Sequence, residues 1–383
     1  MEKSILLKNA HIISPDCDLQ HASVLLVGNT IKQIFADGDT LPAADETLDL
    51  ANQMLMPGFI DVHTHGRSGY EFTDGVLEHL NIMCKDKLSE GVTSWLPTTL
   101  TLGHEALAAA LENARKYTES GAVGAKVPGV HLEGPYINES CLGAQNPAFV
   151  RKPDVEEVKK LNAIYPVLKV SYAVEVEGGS KFASELLAEG ITPSCVHSKA
   201  SYKEFLAGYD HGLRNLSHFC NQMTALHHRD IGLVGAGLAH SEVFIEMICD
   251  KIHLCSDMIK LIFQLKDINH IVLITDACQA AGMPDGEYEI GGLPLILKDG
   301  AARLASNGAL AGSVLVMNKA LKNVYELTGL PLAQLVKTTS WNQAQSLNLS
   351  KLGRIEPGYI ADLTLLDDNF DVVNVWVDGK KVR

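Results

Sequence analysis

Two histidines stand two apart, His63 and His65, at the end of the apolar run GFIDVHTH. Residues i and i+2 of a strand project to one side, so the pair could offer two imidazoles to one metal ion. A hydrogen-bonded structural role explains the pair equally well at this point. Further along, ligand-type residues recur, each at the end of its own short run: Glu133 after GVHL, His197 after SCV, His218 after NLS and Asp276 after VLIT. Imidazole and carboxylate suit Zn²⁺ or Fe²⁺, and a three-ligand set leaves a position open for water. Each residue alone has a plainer explanation: Glu133 as a surface carboxylate, Asp276 as a helix N-cap. Independent structural roles do not explain why five or six of them recur on separate runs.

A centre of this kind needs elements that converge. The middle of the chain contains eight candidate strands: GFIDVHTH, VTSWLPTT, KVPGVHLEG, VLKVSYAVE, ITPSCVHS, LRNLSHFCN, EVFIEMICD and HIVLITDA. Helical patterns such as GHEALAAALENARKY and KFASELLAEG fall between several of them, with apolar residues at i, i+3 and i+4. This alternation predicts an α/β fold, a (β/α)8 TIM-like barrel whose C-terminal strand ends share one face. A doubly wound sheet would call for a glycine-rich phosphate turn after the first strand, and HTHGRSG is a poor version of it. Both ends of the chain carry a strand-turn-strand rhythm. They predict a small β-sandwich from residues 1–55 and 350–383, around a catalytic barrel at 56–349.

Composition narrows the partners. Hydrophobic residues at 46% and charged residues at 20% describe a globular chain. A formal charge of −14 argues against nucleic acid and anionic membrane surfaces. The eight cysteines show no CxxC pair, which fits reduced thiols. With no signal-peptide pattern and no long apolar stretch, a cytoplasmic location is expected.

The motifs GVHLEGPYIN, VHSKAS, SHFCNQMTALHHRDIG, CDKIH, LITDACQAAGMPDGEYEIGG and LAGSVLVMNKAL, followed by GRIEPGYIADLTLLD, resemble the N-acetylglucosamine-6-phosphate deacetylases of the amidohydrolase superfamily. The resemblance runs over essentially the whole chain. It implies a metal-dependent barrel with a sandwich built from both termini, one or two divalent ions (Zn or Fe) per subunit, and a homodimer or homotetramer acting on a phosphorylated amino sugar. By the same resemblance, Glu133, His197 and His218 hold the tight metal and Asp276 is the catalytic aspartate. Arg229 binds the sugar phosphate, Asn221 and Gln222 line the sugar, His253 contacts substrate, and Leu310, Ala311 and Gly312 form a substrate-side loop. Members that retain the HxH pair can hold a second metal, which assigns that role to His63 and His65.

Two positions depart from the family pattern. In LGAQNP, next to Ala144, Gln145 replaces a histidine expected at the substrate; it can hydrogen-bond an amide but cannot carry a proton. In CDKIH, Lys251 adds a cation near the expected phosphate. Both leave open the galactosamine epimer, or another N-acyl amino sugar, as substrate. A cyclic-amide hydrolase would carry a lysine at the end of the fourth strand, where this chain has SYAVE and Glu175. A catalytically silent barrel serving as a binding module would have lost ligands or the aspartate, and none is lost.

Overall fold

A computed structural model describes residues 2–383. All eight runs form strands: β1 (Phe59–Thr64), β2 (Val92–Pro97), β3 (Val130–Glu133), β4 (Val167–Tyr172), β5 (Thr192–Cys195), β6 (Asn215–Leu216), β7 (Phe244–Ile248) and β8 (Ile271–Ile274). Strands β3 to β8 make one parallel sheet in chain order, and β1 and β2 make a parallel pair. Single bridges, Ser94 with Lys126 and Thr98 with His131, join β2 to the β3 side. On the other side the amide of Asp276, just past β8, donates to the carbonyl of His63 on β1 at 2.8 Å.

These strands are buried along nearly their whole length, as parallel strands covered by helices must be. A helix of eight or more residues follows each one, the first being Leu77–Lys87 after β1 and the last Met317–Thr328 after β8. Helix His104–Ser120 shows why: Leu107, Ala110, Leu111, Ala114 and Tyr117 recur at helical spacing and are buried, and Gly121 ends the helix at φ 65°. Helix Tyr202–Asp210 starts at a capping box formed by Ser201 and Glu204.

The two termini meet in one eight-stranded sheet. The three C-terminal strands Lys380–Lys381, Val372–Val377 and Leu363–Leu366 lie beside Met54–Pro57, which in turn lies beside Ser4–Ser14, Cys17–Val27 and Thr30–Phe35; Glu46–Asp49 also pairs with Ser4–Ser14. Alternation along the inner strands divides two cores. Leu55, Leu363, Leu365 and Trp376 point into a cluster private to this sheet, whereas Met54, Met56, Leu366, Val375 and Val377 join the core of the parallel strands.

One element differs from expectation. After β8 the chain makes a three-stranded antiparallel sheet, Gly286–Ile290, Leu293–Lys298 and Ala301–Leu304, with its own small core of Ile290, Leu295, Leu297 and Ala302 against Leu100 and Cys278. Its first turn is Gly291–Gly292, both with positive φ, as tight hairpins require. Alternation around a GG pair in GEYEIGGLPLILK is a signal for this hairpin.

Candidate metal centre

The strand ends bring the ligand-type residues together. His63, His65, Glu133, His197, His218 and Asp276 are all buried. Two overlapping groups form, His63 with His65 and Glu133, and Glu133 with His197 and His218; within each, the potential ligand atoms lie within 4.8 Å of one another. Glu133 Oε1 is 3.2 Å from His63 Nε2, 3.2 Å from His218 Nε2 and 3.6 Å from His197 Nε2, and Oε2 is 3.3 Å from His65 Nε2. Asp276 Oδ1 lies 3.2 Å from His65 Nε2 and 3.5 Å from His63 Nε2.

All four imidazoles present Nε2 inward, because each Nδ1 is already committed. His65 donates from Nδ1 to the Thr98 carbonyl (3.2 Å), His197 to that of Cys141 (2.8 Å) and His218 to that of Asn221 (3.1 Å). His63 instead donates to the Glu246 carboxylate (3.0 Å). Carbonyls and carboxylates only accept, so these partners hold a proton on Nδ1 and leave Nε2 as the atom that takes up a proton or a cation.

A divalent ion fits the residues present. His63 Nε2 and Glu133 Oε1 are buried and have no hydrogen-bond partner, a costly condition that a cation between them relieves. Charge points the same way. Burial opposes charge on His63 and His65, yet Glu133 and Asp276 outweigh it and raise the two rings to about 9 and about 10. Burial likewise opposes ionisation of Glu133 and Asp276, but the facing histidines hold both carboxyls below their ordinary values. The centre therefore favours positive charge in its middle.

Backbone geometry marks the same places. His197, His218 and Asp276 adopt positive φ (43°, 31° and 48°), a conformation costly for side chains of this kind and concentrated at functional sites. Asp276 is held by its own amide, which donates to the His63 carbonyl, and by the Ser313 amide, which donates to the Asp276 carbonyl at 2.7 Å. Gly143, at φ 57°, lies so close to His197 that a Cβ there would sit 3.0 Å from Cε1. Behind β1, buried Asp61 accepts from Thr275 Oγ1 (2.6 Å) and Lys87 Nζ (2.9 Å), tying β1 to the residue before Asp276.

The centre opens into a cleft of about 230 Å³. Ligand pockets usually span roughly 300–1,000 Å³, so this one suits a small metabolite. Ala144, Gln145, Asn221, Gln222, His253, Leu310 and Gly312 line it, together with Gly143, Leu100 and, from the added sheet, Ile290. Gln145 is more committed than expected: its Oε1 accepts from the Thr101 amide (2.7 Å) and its Nε2 donates to Glu133 Oε2, so it steadies the shared carboxylate. His253 is oriented by Asp250, which takes its Nδ1 at 2.7 Å and which sequence reasoning passed over.

Three expected residues are not on the cleft wall. Ala311 is fully buried in the core of the added sheet. Lys251 turns towards Glu326, 3.7 Å away. Arg229 is exposed, on the loop that carries Asn221 and Gln222, with Nη1 2.8 Å from His228 Nε2. Glu175 serves the scaffold: it accepts from Asn138 Nδ2 and the Lys199 amide, behind His197. Among the described residues no helix is long and apolar enough to cross a membrane.

The amidohydrolase family profile matches residues 54–382. An N-acetylglucosamine-6-phosphate deacetylase of Lysinibacillus sphaericus is 33% identical over 96% of this chain and 94% of its own length. An N-acetylgalactosamine-6-phosphate deacetylase of Escherichia coli O157:H7 is 36% identical over 86% of this chain and 87% of its own. The crystal structure of the N-acetylglucosamine-6-phosphate deacetylase of Thermotoga maritima superposes with a TM-score of 0.90 at 34% identity, covering 99% of both chains. With its ligand groups in place at the strand ends, the chain belongs to the amidohydrolase family and, within it, to the N-acetylglucosamine-6-phosphate deacetylase group.

Proposed function

We propose that this protein hydrolyses the acetamide of N-acetyl-D-glucosamine 6-phosphate to glucosamine 6-phosphate and acetate. The observation that carries the reading is the pair of ligand groups sharing Glu133, with Asp276 3.2 Å from His65 at the inner end of a metabolite-sized cleft. A divalent ion, Zn or Fe, would supply a more acidic water and a Lewis acid for the amide carbonyl when bound. Glu133, His197 and His218 would hold one such ion, and Glu133, His63 and His65 have the atoms to hold a second.

Asp276 carries the proton. Its carboxylate accepts it from the attacking water and returns it to the leaving nitrogen as the amine departs, so one group serves as base and then acid. Asn221, Gln222 and His253 orient the sugar in the cleft. Arg229 contributes a planar fork for the phosphate, which requires its exposed loop to turn onto the bound substrate. The architecture that supports this is a closed (β/α)8 barrel at 56–349, capped by a β-sandwich from 1–55 and 350–383. The bridges at one edge of the parallel sheet, the Asp276–His63 hydrogen bond at the other and the separate core of the terminal sheet favour it.

The galactosamine epimer is the second reading, because the Escherichia coli relative named for that substrate is 36% identical. Acetate release from the two epimeric 6-phosphates and their unphosphorylated forms, with metal content measured on the same sample, separates the two. The gluco 6-phosphate is expected to have the highest kcat/KM. A higher value for the galacto 6-phosphate reverses the assignment, and equal values with and without phosphate remove Arg229 from it.

A further inference from the structure

Among the buried charges that the proposed reaction does not use, two stand directly behind the centre. Glu246 on β7 and Lys169 on β4 are both almost fully inaccessible, and their side chains form an ion pair across the interior between strands that are not neighbours. The other Glu246 oxygen accepts from His63 Nδ1 at 3.0 Å. The chain of contacts therefore runs from Lys169 through Glu246 to His63, whose Nε2 faces Glu133 and has no hydrogen-bond partner of its own. We infer that Lys169 and Glu246 are positioning residues for the second metal, holding His63 in the tautomer and orientation that present Nε2 to it.

The contrast within the centre carries the argument. His65, His197 and His218 are each backed by a backbone carbonyl near a strand end, fixed wherever the backbone is fixed. His63 has no carbonyl in that role and relies on a side chain that could rotate. Lys169 removes that freedom by occupying the remaining carboxylate oxygen, and its charge offsets the burial of Glu246. His131 closes the space from the side, its ring 4.6 Å from that of His63 in an edge-on contact, with its own Nε2 2.6 Å from Ser171 Oγ. A carboxylate behind a ligating histidine also makes the ring a stronger donor than a carbonyl does, and loss of such a partner commonly costs about 10- to 100-fold in metal affinity.

This inference rests on the assignment of His63, His65 and Glu133 to a second metal, and the experiment separates the two. Metal-free wild type, Glu246→Gln and the double variant Glu246→Leu with Lys169→Met are titrated with Zn²⁺ against a competing chelator, with His63→Ala as the reference for loss of the second site. The double variant replaces the ion pair with apolar side chains of similar size, a change buried pairs often tolerate. Glu246→Gln keeps the shape and an acceptor for Nδ1, and is read whether or not the double variant folds.

Wild type is expected to take up two ions. The double variant should bind the second about 10- to 100-fold more weakly, and Glu246→Gln about 10-fold more weakly, with first-ion affinity unchanged in both. Second-ion affinity equal to wild type in Glu246→Gln, or an equal loss at both sites, overturns the inference and leaves the pair a structural role. A wild type that takes up one ion overturns the second-metal assignment and the inference with it.

Discussion

The two halves of the centre are built by different means. His197 and His218 stand past the ends of β5 and β6 on backbone of positive φ, each ring anchored to a carbonyl of an adjoining loop. His63 and His65 belong to the end of β1, where plain period-two geometry puts both on one side. The loops behind the first half also line the cleft, through Gly143, Ala144, Asn221 and Gln222. In the second half His65 is backed by the Thr98 carbonyl just past β2, and His63 by Glu246 and Lys169 within the strands. One half thus adjoins the cleft, and the other adjoins the scaffold. Glu133 joins them by sharing its two oxygens, with Gln145 fixing one.

Removing metal from both halves should have the largest effect. Dialysis against a chelator is expected to abolish acetate release, with Zn²⁺ or Fe²⁺ restoring it; full activity in protein shown to be metal-free would contradict the assignment. Next comes Asp276→Asn, which should lower kcat by roughly 10²–10⁴-fold while the protein still binds metal and substrate, as measured by metal analysis and equilibrium binding.

Breaking one half at a time sharpens the contrast. His218→Ala should cost both metal and sugar affinity, because its ring is tied to the Asn221 segment. His63→Ala should lower the metal ratio while leaving KM near that of wild type. Equal KM changes would mean that the halves are not functionally distinct. Arg229→Ala is expected to raise KM for the 6-phosphate about 10- to 100-fold, the scale of a lost hydrogen bond to a charged group, and to leave the unphosphorylated sugar unaffected.

The smallest effect concerns the wall beside His65. Glu71 accepts from the Gly291 amide at 3.1 Å, pinning the added sheet to the segment after β1, and burial pushes its carboxyl up to about 7 from 4.5. The folded state therefore holds the proton more tightly than the unfolded chain. Its contribution is complete below about pH 4.5 and is lost as pH rises through 7. Glu71→Gln keeps the acceptor and cannot ionise. It should unfold at higher denaturant than wild type at pH 8, by at most roughly 3 kcal/mol, with the advantage gone at pH 4.

Much of this was legible in the residues. Short apolar runs punctuated by helical patterns predicted eight strands, and all eight form. Their polar last residues, His63, His65, Glu133, His197, His218 and Asp276, do gather at one place. The local signals for Glu246 and Lys169 were also present, a charge inside FIEMI and another inside VLKVSY, but their partnership spans 77 positions. The added sheet also has a local signal, the Gly291–Gly292 turn, but its packing against Leu100 joins segments far apart in the chain.

Periodicity, turn chemistry and the types of the strand-end residues are local properties, so the sequence by itself determined which elements form and which residues can bind a metal. Direction and partnership are not local. Only the packing of eight strands decided that Glu133 lies between two histidine pairs, that Gln145 spends its amide on Glu133 and that Lys251 faces Glu326. A side chain's hydrogen bonds depend on atoms brought within about 3 Å by residues far away in the chain, and no spacing rule records those distances.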